Sequence, residues 1–205
     1  MYTRDDLQDP PTEEEMKMTC QKCGESNVTV RTLEKYHYRE SGLANVWLHG
    51  GGVLEYTCAA CGHTHIAVKK EPQLLQVIAM GLLMRASRLR GPELKYLRQA
   101  CELTQADLAK RLDVRRATVA DWEAGDVENV DKARMLHLRM VLLGEFRQFV
   151  GDPANRLLSD AHIKELDDFA GSFMTAFERY FRRPRRVSVV VKNTNDDWEP
   201  CLEAA

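Results

Sequence analysis

The chain changes its hydrophobic period near residue 71. Between residues 28 and 56 apolar and polar residues alternate, as in strands with one buried face, and the three glycines at 50–52 predict a turn between two strands. Beyond residue 71 apolar residues recur at intervals of three and four, which predicts helices that begin near 71 and 91 and others at 105–112, 115–124, 135–150 and 160–181. The pattern predicts an α+β fold: a small β module, an all-α domain and a helical carboxy-terminal extension.

Four of the six cysteines form two pairs of the same kind, Cys20-x-x-Cys23-Gly and Cys58-x-x-Cys61-Gly, with 34 residues between them. Disulfides are disfavoured in a cytosolic chain, whereas two such knuckles supply four thiolates to one metal ion. We therefore expect one structural Zn²⁺ per chain, bound by Cys20, Cys23, Cys58 and Cys61. A shell of four thiolates leaves no open position for water, so this ion should stabilise the fold and not catalyse.

The remaining histidines and cysteines near these pairs have simpler interpretations. His63 and His65 follow the second knuckle and could replace a cysteine ligand, but ordinary surface positions on a strand are the better interpretation because four cysteines already fill the shell. Cys101 is expected to be a small buried side chain and Cys201 a free thiol in the tail.

Residues 104–125 have the spacing of a helix-turn-helix. Thr104 with Asp107 three residues later is a variant of the capping box and starts a helix over Gln105–Leu112. Asp113 occupies the turn where such motifs usually have glycine, and aspartate tolerates the left-handed conformation. Apolar or small residues fall where the two helices should meet, at Leu108, Ala109, Val114, Val119 and Trp122.

The second helix of this motif is expected to enter the major groove of DNA with its amino-terminal residues. Arg115 and Arg116 lie there, and an arginine either pairs with guanine or binds phosphate; the sequence leaves both roles open. Asp121 either accepts a hydrogen bond from cytosine or pairs with a basic side chain. The predicted DNA-contacting residues are Thr104, Gln105, Arg115, Arg116, Ala117, Thr118 and Asp121, with Thr104 and Gln105 placed for phosphate.

The carboxy-terminal third carries less specific patterns. The helix at 135–150 either completes the helical domain or forms a dimer seam, and the helix at 160–181 has an aromatic face. Residues 187–192 predict a strand that pairs either with another chain or with the sheet of the zinc module. We divide the chain into an acidic flexible segment (1–17), a zinc-binding β module (18–70), a helix-turn-helix domain (71–150) and an extension (151–205).

Charge and composition restrict the classes of partner that the chain is expected to bind. The net charge of −2 argues against nucleic acid when it is averaged over the chain, but residues 85–125 hold nine basic and six acidic residues while both ends are acidic. No apolar run reaches the about 20 residues of a membrane span, and residues 1–15 hold six acids in place of the basic start of a secretory signal. We expect a cytoplasmic, nucleoid-associated protein with no membrane partner.

Several motifs together resemble a known family. They are the two Cys-x-x-Cys-Gly knuckles, the segment Tyr-His-Tyr-Arg-Glu-Ser-Gly-Leu-Ala-Asn-Val-Trp-Leu at 36–48, and the stretch from Leu94 to Gly125. Their order is similar to that of the YgiT/MqsA-type zinc-finger and helix-turn-helix family. The resemblance implies a homodimeric DNA-binding regulator that reads a palindromic operator and, in many members, acts as the antitoxin of a protein toxin.

One departure from the family concerns base reading. The resemblance implies an Asn and an Arg on the recognition helix, where this chain has Ala117 and Asp121. It therefore predicts a different operator, with Arg115 and Arg116 as the base readers.

The leading hypothesis is a sequence-specific transcriptional regulator that represses its own operon. The alternative is a protein-interaction module that binds a toxin or another partner through the zinc module or the extension. An enzyme is disfavoured because saturated CxxC pairs leave no free thiolate, and no Ser-His-Asp or paired-carboxylate arrangement is readable by spacing.

Overall fold

The structure is a computed structural model of the 205-residue chain and describes residues 19–85, 87–125, 130–180 and 188–201, with side chains of the sixth helix described to residue 173. The segment predicted to be acidic and flexible, 1–17, lies outside the described residues. The strands are β1 (Val28–His37), β2 (Val46–Cys58), β3 (Thr64–Val68), β4 (Val189–Thr194) and β5 (Asp197–Cys201). The helices are α1 (Glu71–Met84), α2 (Gly91–Ala100), α3 (Gln105–Leu112), α4 (Arg116–Ala124), α5 (Lys132–Gly151) and α6 (Asp160–Tyr180). The predicted α+β class is confirmed.

Strand β2 is the centre of the sheet. It pairs with β1 along one edge, and its other edge is shared by two strands. Residues 53–57 of β2 pair antiparallel with β3, whereas residues 46–49 pair in parallel with β4. We call the part formed by β3, residues 28–33 and residues 53–58 the distal half-sheet. The proximal half-sheet consists of β4, β5, residues 35–37 and residues 46–49.

The glycines at 50–52 join the two half-sheets. The predicted turn is wrong, because these residues lie inside β2 and form a bulge: the pairing with β1 passes from Leu33–Val53 to Lys35–His49. A Cβ atom on Gly52 would lie 2.5 Å from the ring of Trp198, so this position has no room for a side chain. The triglycine therefore lets Trp198 of β5 lie against the backbone of β2.

The carboxy-terminal strands complete the proximal half-sheet. Of the two partners left open for the predicted strand at 187–192, the structure shows the sheet of the zinc module, through β4. Asn195 and Asp196 both have positive φ and connect β4 to β5 in a tight hairpin. Trp198 is fully buried, and its indole Nε1 donates to the carbonyl oxygen of Lys69 at 2.6 Å. Cys201, expected in a free tail, is a half-buried residue of β5.

Helix α1 connects the sheet to the other helices. Ten of its fourteen residues are buried, and it contacts β4 and β5 as well as α2, α5 and α6. A single continuous hydrophobic core runs from Val46 and Leu48 of the sheet through α1 to Trp122 of α4. The aromatic face predicted for α6 packs into it through Phe169 and Phe173. Within the described residues, every helix falls short of the length or apolarity that crossing a bilayer requires.

Candidate metal centre and nucleic-acid interface

The two cysteine pairs fold into matching knuckles at the end of the distal half-sheet. In each, the backbone N–H of the glycine donates to the carbonyl of the first cysteine: Gly24 to Cys20 at 2.8 Å and Gly62 to Cys58 at 2.9 Å. Both glycines have positive φ, 76° and 68°, which residues with a Cβ rarely adopt. In each knuckle the first cysteine also donates its N–H to the carbonyl five residues later. The repeated spacing in the sequence thus becomes a repeated backbone conformation.

The four sulfur atoms converge on one point. All four Sγ atoms lie within 4.8 Å of one another. Across the knuckles, Cys20 Sγ lies 3.7 Å from Cys61 Sγ, and Cys23 Sγ lies 3.6 Å from Cys58 Sγ. A zinc–sulfur bond of about 2.3 Å places neighbouring sulfurs of a tetrahedral site about 3.8 Å apart. The arrangement can bind a metal ion, and its geometry fits the expected four-thiolate shell.

The backbone helps to prepare these thiols for a metal. The N–H groups of Cys23 and Lys22 lower the pKa of Cys20 to about 7. At Cys23 the N–H of Glu25 acts in the same direction, but partial loss of hydration and hydrogen bonds with the other sulfurs raise its pKa to about 12. Since a bound divalent ion displaces the thiol protons, metal affinity should rise with pH.

The remaining candidates near the centre are not part of this cluster. Among the described residues, the cluster whose ligand atoms lie close enough to share a metal ion consists of the four cysteines. Neither His63 nor His65 belongs to it. Cys101 is buried, as expected, and burial raises the pKa of its thiol to about 12.

The helix-turn-helix is formed by α3 and α4. Thr104 caps α3 by accepting from the backbone N–H of Asp107 at 3.1 Å, while the Asp107 carboxylate accepts from the N–H of Thr104 at 2.9 Å. The start and end of α3 agree with the prediction, and α4 begins one residue later than predicted, with Arg115 as its N-cap. Asp113 adopts the left-handed conformation, with φ 53° and ψ 48°. The local signals in the sequence therefore describe this motif correctly.

The inner faces of the two helices meet in the core as predicted. Leu108, Ala109, Val119 and Trp122 are buried, and Val114 in the turn is half-buried against them. Helix α2 packs against α4 at close range. A Cβ atom on Gly91 would lie only 2.6 Å from the carbonyl oxygen of Glu123. This packing fixes α4, the recognition helix, against two neighbours.

A buried acid ties the three helices together, and the sequence alone did not reveal it. The carboxylate of Glu123 accepts from Arg98 Nε at 2.5 Å and Nη2 at 3.2 Å, and from Gln105 Nε2 at 2.8 Å. The side chains of Arg98 and Glu123 are only 10% and 5% exposed. We call these three residues the Glu123 clamp. Their separation along the chain carries no periodic signal that could have paired them.

The predicted DNA-contacting residues differ in how free they are. Arg115, Arg116, Ala117 and Asp121 are exposed at one end and along the outer side of α4, and Thr118 is half-buried. The Thr104 hydroxyl is used in the cap of α3. The side-chain amide of Gln105, predicted to bind phosphate, donates to Glu123.

The basic middle of the chain is also less exposed than its composition indicates. Arg98 belongs to the clamp, and Arg85 forms a buried ion pair with Glu93 of α2 at 2.7 Å. The positive charge available to a polyanion therefore lies mainly with exposed residues such as Arg115 and Arg116.

Comparison with known proteins agrees with the helical part of this description. A helix-turn-helix family model matches residues 94–134, from α2 to the beginning of α5. No curated protein and no solved structure matches the chain. The match and the geometry agree that α3 and α4 form a helix-turn-helix.

Proposed function

We propose that this chain is a sequence-specific, DNA-binding transcriptional regulator that carries one structural Zn²⁺ ion. The observation that carries the proposal is the recognition helix: its amino-terminal end is exposed and arginine-rich, while its carboxy-terminal end is held by the Glu123 clamp. A helix held in this way can present side chains to base edges in a fixed orientation, which base-specific recognition requires.

The proposed DNA contacts differ between α4 and α3. Arg115 and Arg116 are proposed to reach guanine or phosphate at the start of α4, with Ala117, Thr118 and Asp121 beside them in the groove. Thr104 and Gln105 are proposed to hold phosphate at the start of α3, and because the Gln105 amide already binds Glu123, its phosphate contact would come through the backbone N–H.

The finer parts of the proposal rest on the family resemblance. A homodimer on a palindromic operator, repression of its own operon, and a cytoplasmic, nucleoid-associated location all follow from an antitoxin-like regulator. Two symmetric half-sites are what a pair of identical recognition helices would read.

A binding titration with the DNA upstream of the gene tests the proposal. Specific DNA should bind far more tightly than random DNA at moderate salt, since the electrostatic term alone gives dissociation constants of about 10⁻⁴–10⁻⁶ M. Arg116→Ala should weaken specific binding by about 1–3 kcal/mol if the arginine pairs with guanine. Arg147→Ala is the matched control, because that exposed arginine lies near the far end of α5 and pairs with Asp167.

Two outcomes would change the interpretation. Equal affinity of the protein for its own upstream DNA and for random DNA would refute sequence-specific binding. A uniform loss in Arg116→Ala across all sequences, with a smaller salt dependence, would instead make Arg116 a phosphate contact.

A second candidate function is protein binding by the zinc module, including a toxin partner. One observation favours it: a cavity of about 430 Å³ opens on the distal half-sheet beside the cysteine cluster, lined in part by Val28, Tyr56 and His65. Val30, two residues after Val28 on β1, is 53% exposed. Co-purification of the product of an adjacent gene without DNA, together with weak operator binding, would support this role over the first.

A further inference from the structure

Each cross-knuckle sulfur contact joins one exposed cysteine to one buried cysteine. Cys23 is exposed, and its neighbour Cys58 is buried; Cys61 is exposed, and its neighbour Cys20 is buried. The exposed cysteine of each contact is the one that an oxidant meets first, and the second sulfur lies 3.6–3.7 Å from its sulfur. This is the arrangement of an attacking thiolate and a resolving thiolate, present twice.

We propose that Cys23 and Cys61 are oxidative modification sites for hydroperoxides, and that each then forms a disulfide with the buried cysteine of the opposite knuckle. The inference rests on the proposed zinc centre, because a bound ion keeps all four sulfurs as thiolates. It goes beyond DNA binding, since the reaction takes place in the distal half-sheet.

Each disulfide forms in two steps and consumes one peroxide. The thiolate of Cys23 attacks one oxygen of hydrogen peroxide, the O–O bond breaks, and a sulfenic acid and hydroxide form. The thiolate of Cys58 then attacks that sulfur, the S–S bond forms, and a second hydroxide leaves. Two thiolates lose two electrons and one peroxide gains them. Cys61 and Cys20 react in the same way, so two peroxides consume all four thiolates and the cluster can no longer hold its ion.

The two hydrogen-bonded sulfur contacts, at 3.7 and 3.6 Å, decide which disulfides we expect. An S–S bond of about 2.05 Å requires each sulfur of a 3.7 Å contact to move by about 0.8 Å, a small adjustment for two side chains. The products, Cys20–Cys61 and Cys23–Cys58, keep the two knuckles joined after the ion has left. Chelation would release the same ion and leave the knuckles unlinked, so oxidation and chelation should leave the distal half-sheet in different states.

The experiment uses the zinc-loaded full chain with Cys101→Ala and Cys201→Ser, so that only the four cluster cysteines remain. Hydrogen peroxide is added in steps while a chromogenic indicator measures released zinc. The linkages are then mapped by mass spectrometry. Trypsin cleaves after Lys22, between Cys20 and Cys23, which separates the two cysteines of the first knuckle. We expect two peroxides consumed per zinc released, and both first-knuckle peptides linked to the peptide that holds Cys58 and Cys61.

Two variants identify the individual pairs. Cys23→His keeps a metal-binding nitrogen at the exposed position, so it should still bind zinc and form only the Cys20–Cys61 disulfide on oxidation. Cys20→His removes the resolving partner of Cys61, which should then accumulate as a sulfenic acid that dimedone traps.

Other results would overturn the proposal. Disulfides within a knuckle, Cys20–Cys23 or Cys58–Cys61, as the main products would refute the assigned pairing, and zinc retained in excess peroxide would refute the reaction itself. A purified protein that carries no metal but still binds its upstream DNA would remove the zinc centre and leave the proposed DNA-binding function standing.

Discussion

The Glu123 clamp makes a quantitative prediction about how the recognition helix is held. Replacing Glu123 with Gln keeps the shape of the side chain but removes its charge, and it directs an NH₂ group towards Arg98 and Gln105, which are both donors. The guanidinium of Arg98, 10% exposed, would then be buried without its carboxylate. Removal of one partner of a buried ion pair typically lowers the free energy of unfolding by about 3–5 kcal/mol.

The effect of pH on this pair has a definite sign. Burial alone would raise the pKa of Glu123, but hydrogen bonds from Arg98 and Gln105, together with the charge of Arg98, lower it below the ordinary value of 4.5. A carboxyl group with a lowered pKa in the folded state stabilises the protein above its unfolded pKa, and this contribution disappears as the pH falls through the folded pKa. The stability of Glu123→Gln should therefore depend less on pH below about 4.5 than that of the unmodified protein.

Urea denaturation at pH 7 measures the expected loss. Asp168→Asn is the matched control, because Asp168 pairs with Lys164 on the surface, where both side chains are more than 65% exposed, and such exposed pairs contribute little to stability. The double variant Arg98→Met with Glu123→Leu should lose less stability than Glu123→Gln, since no buried charge remains. If Glu123→Gln lost no more stability than Asp168→Asn, the clamp would not hold the helices as we describe.

Three further predictions concern packing and reactivity. Gly91→Ala should lower the free energy of unfolding by about 1–3 kcal/mol, because its methyl group would collide with the backbone of Glu123. Gly144→Ala is the control, since this position on α5 has open space around it and should lose no stability. Equal effects of the two substitutions would contradict the close contact of α2 with α4. Trp198→Ala should lower the free energy of unfolding, measured by urea denaturation, by about 3–5 kcal/mol. A loss below 1 kcal/mol would contradict the burial of this ring. Cys101, with a pKa near 12, should resist iodoacetamide at pH 8 until urea unfolds the chain; rapid labelling of the native protein would refute its burial.

The parts of the fold that the sequence predicts well are those set by neighbouring residues. The capping pair Thr104 and Asp107 lies within one helical turn, and the limits of α3 follow from it. The Cys-x-x-Cys-Gly knuckles are also local, because each glycine adopts its positive φ next to the cysteines it positions. Such signals do not depend on the rest of the chain.

The features that the sequence did not predict depend on distant partners. Three consecutive glycines are compatible with a turn as well as with a bulge. The bulge is favoured here because the ring of Trp198, about 150 residues further along the chain, lies against Gly52. The partner of β4 and the pairing of Arg98 with Glu123 are likewise contacts between elements. Periodicity shows that a residue is buried but not which residue it meets.

The division of the sheet indicates where a bound metal ion would matter most for stability. In the distal half-sheet, β1 and β3 have no fully buried residue, and their apolar side chains Leu33, Ile66 and Val68 are only partly buried against the core. The proximal half-sheet is different, because Leu48, Val191 and Trp198 are each at most 1% exposed and belong to the core that includes α1. The proposed zinc ion would cross-link the two knuckles at the end of the distal half-sheet, and structural zinc ions contribute on the order of 10–16 kcal/mol of apparent binding energy to small modules. We therefore expect the stabilising effect of the proposed ion to be concentrated in the distal half-sheet, whereas α4 depends on the core and on the Glu123 clamp.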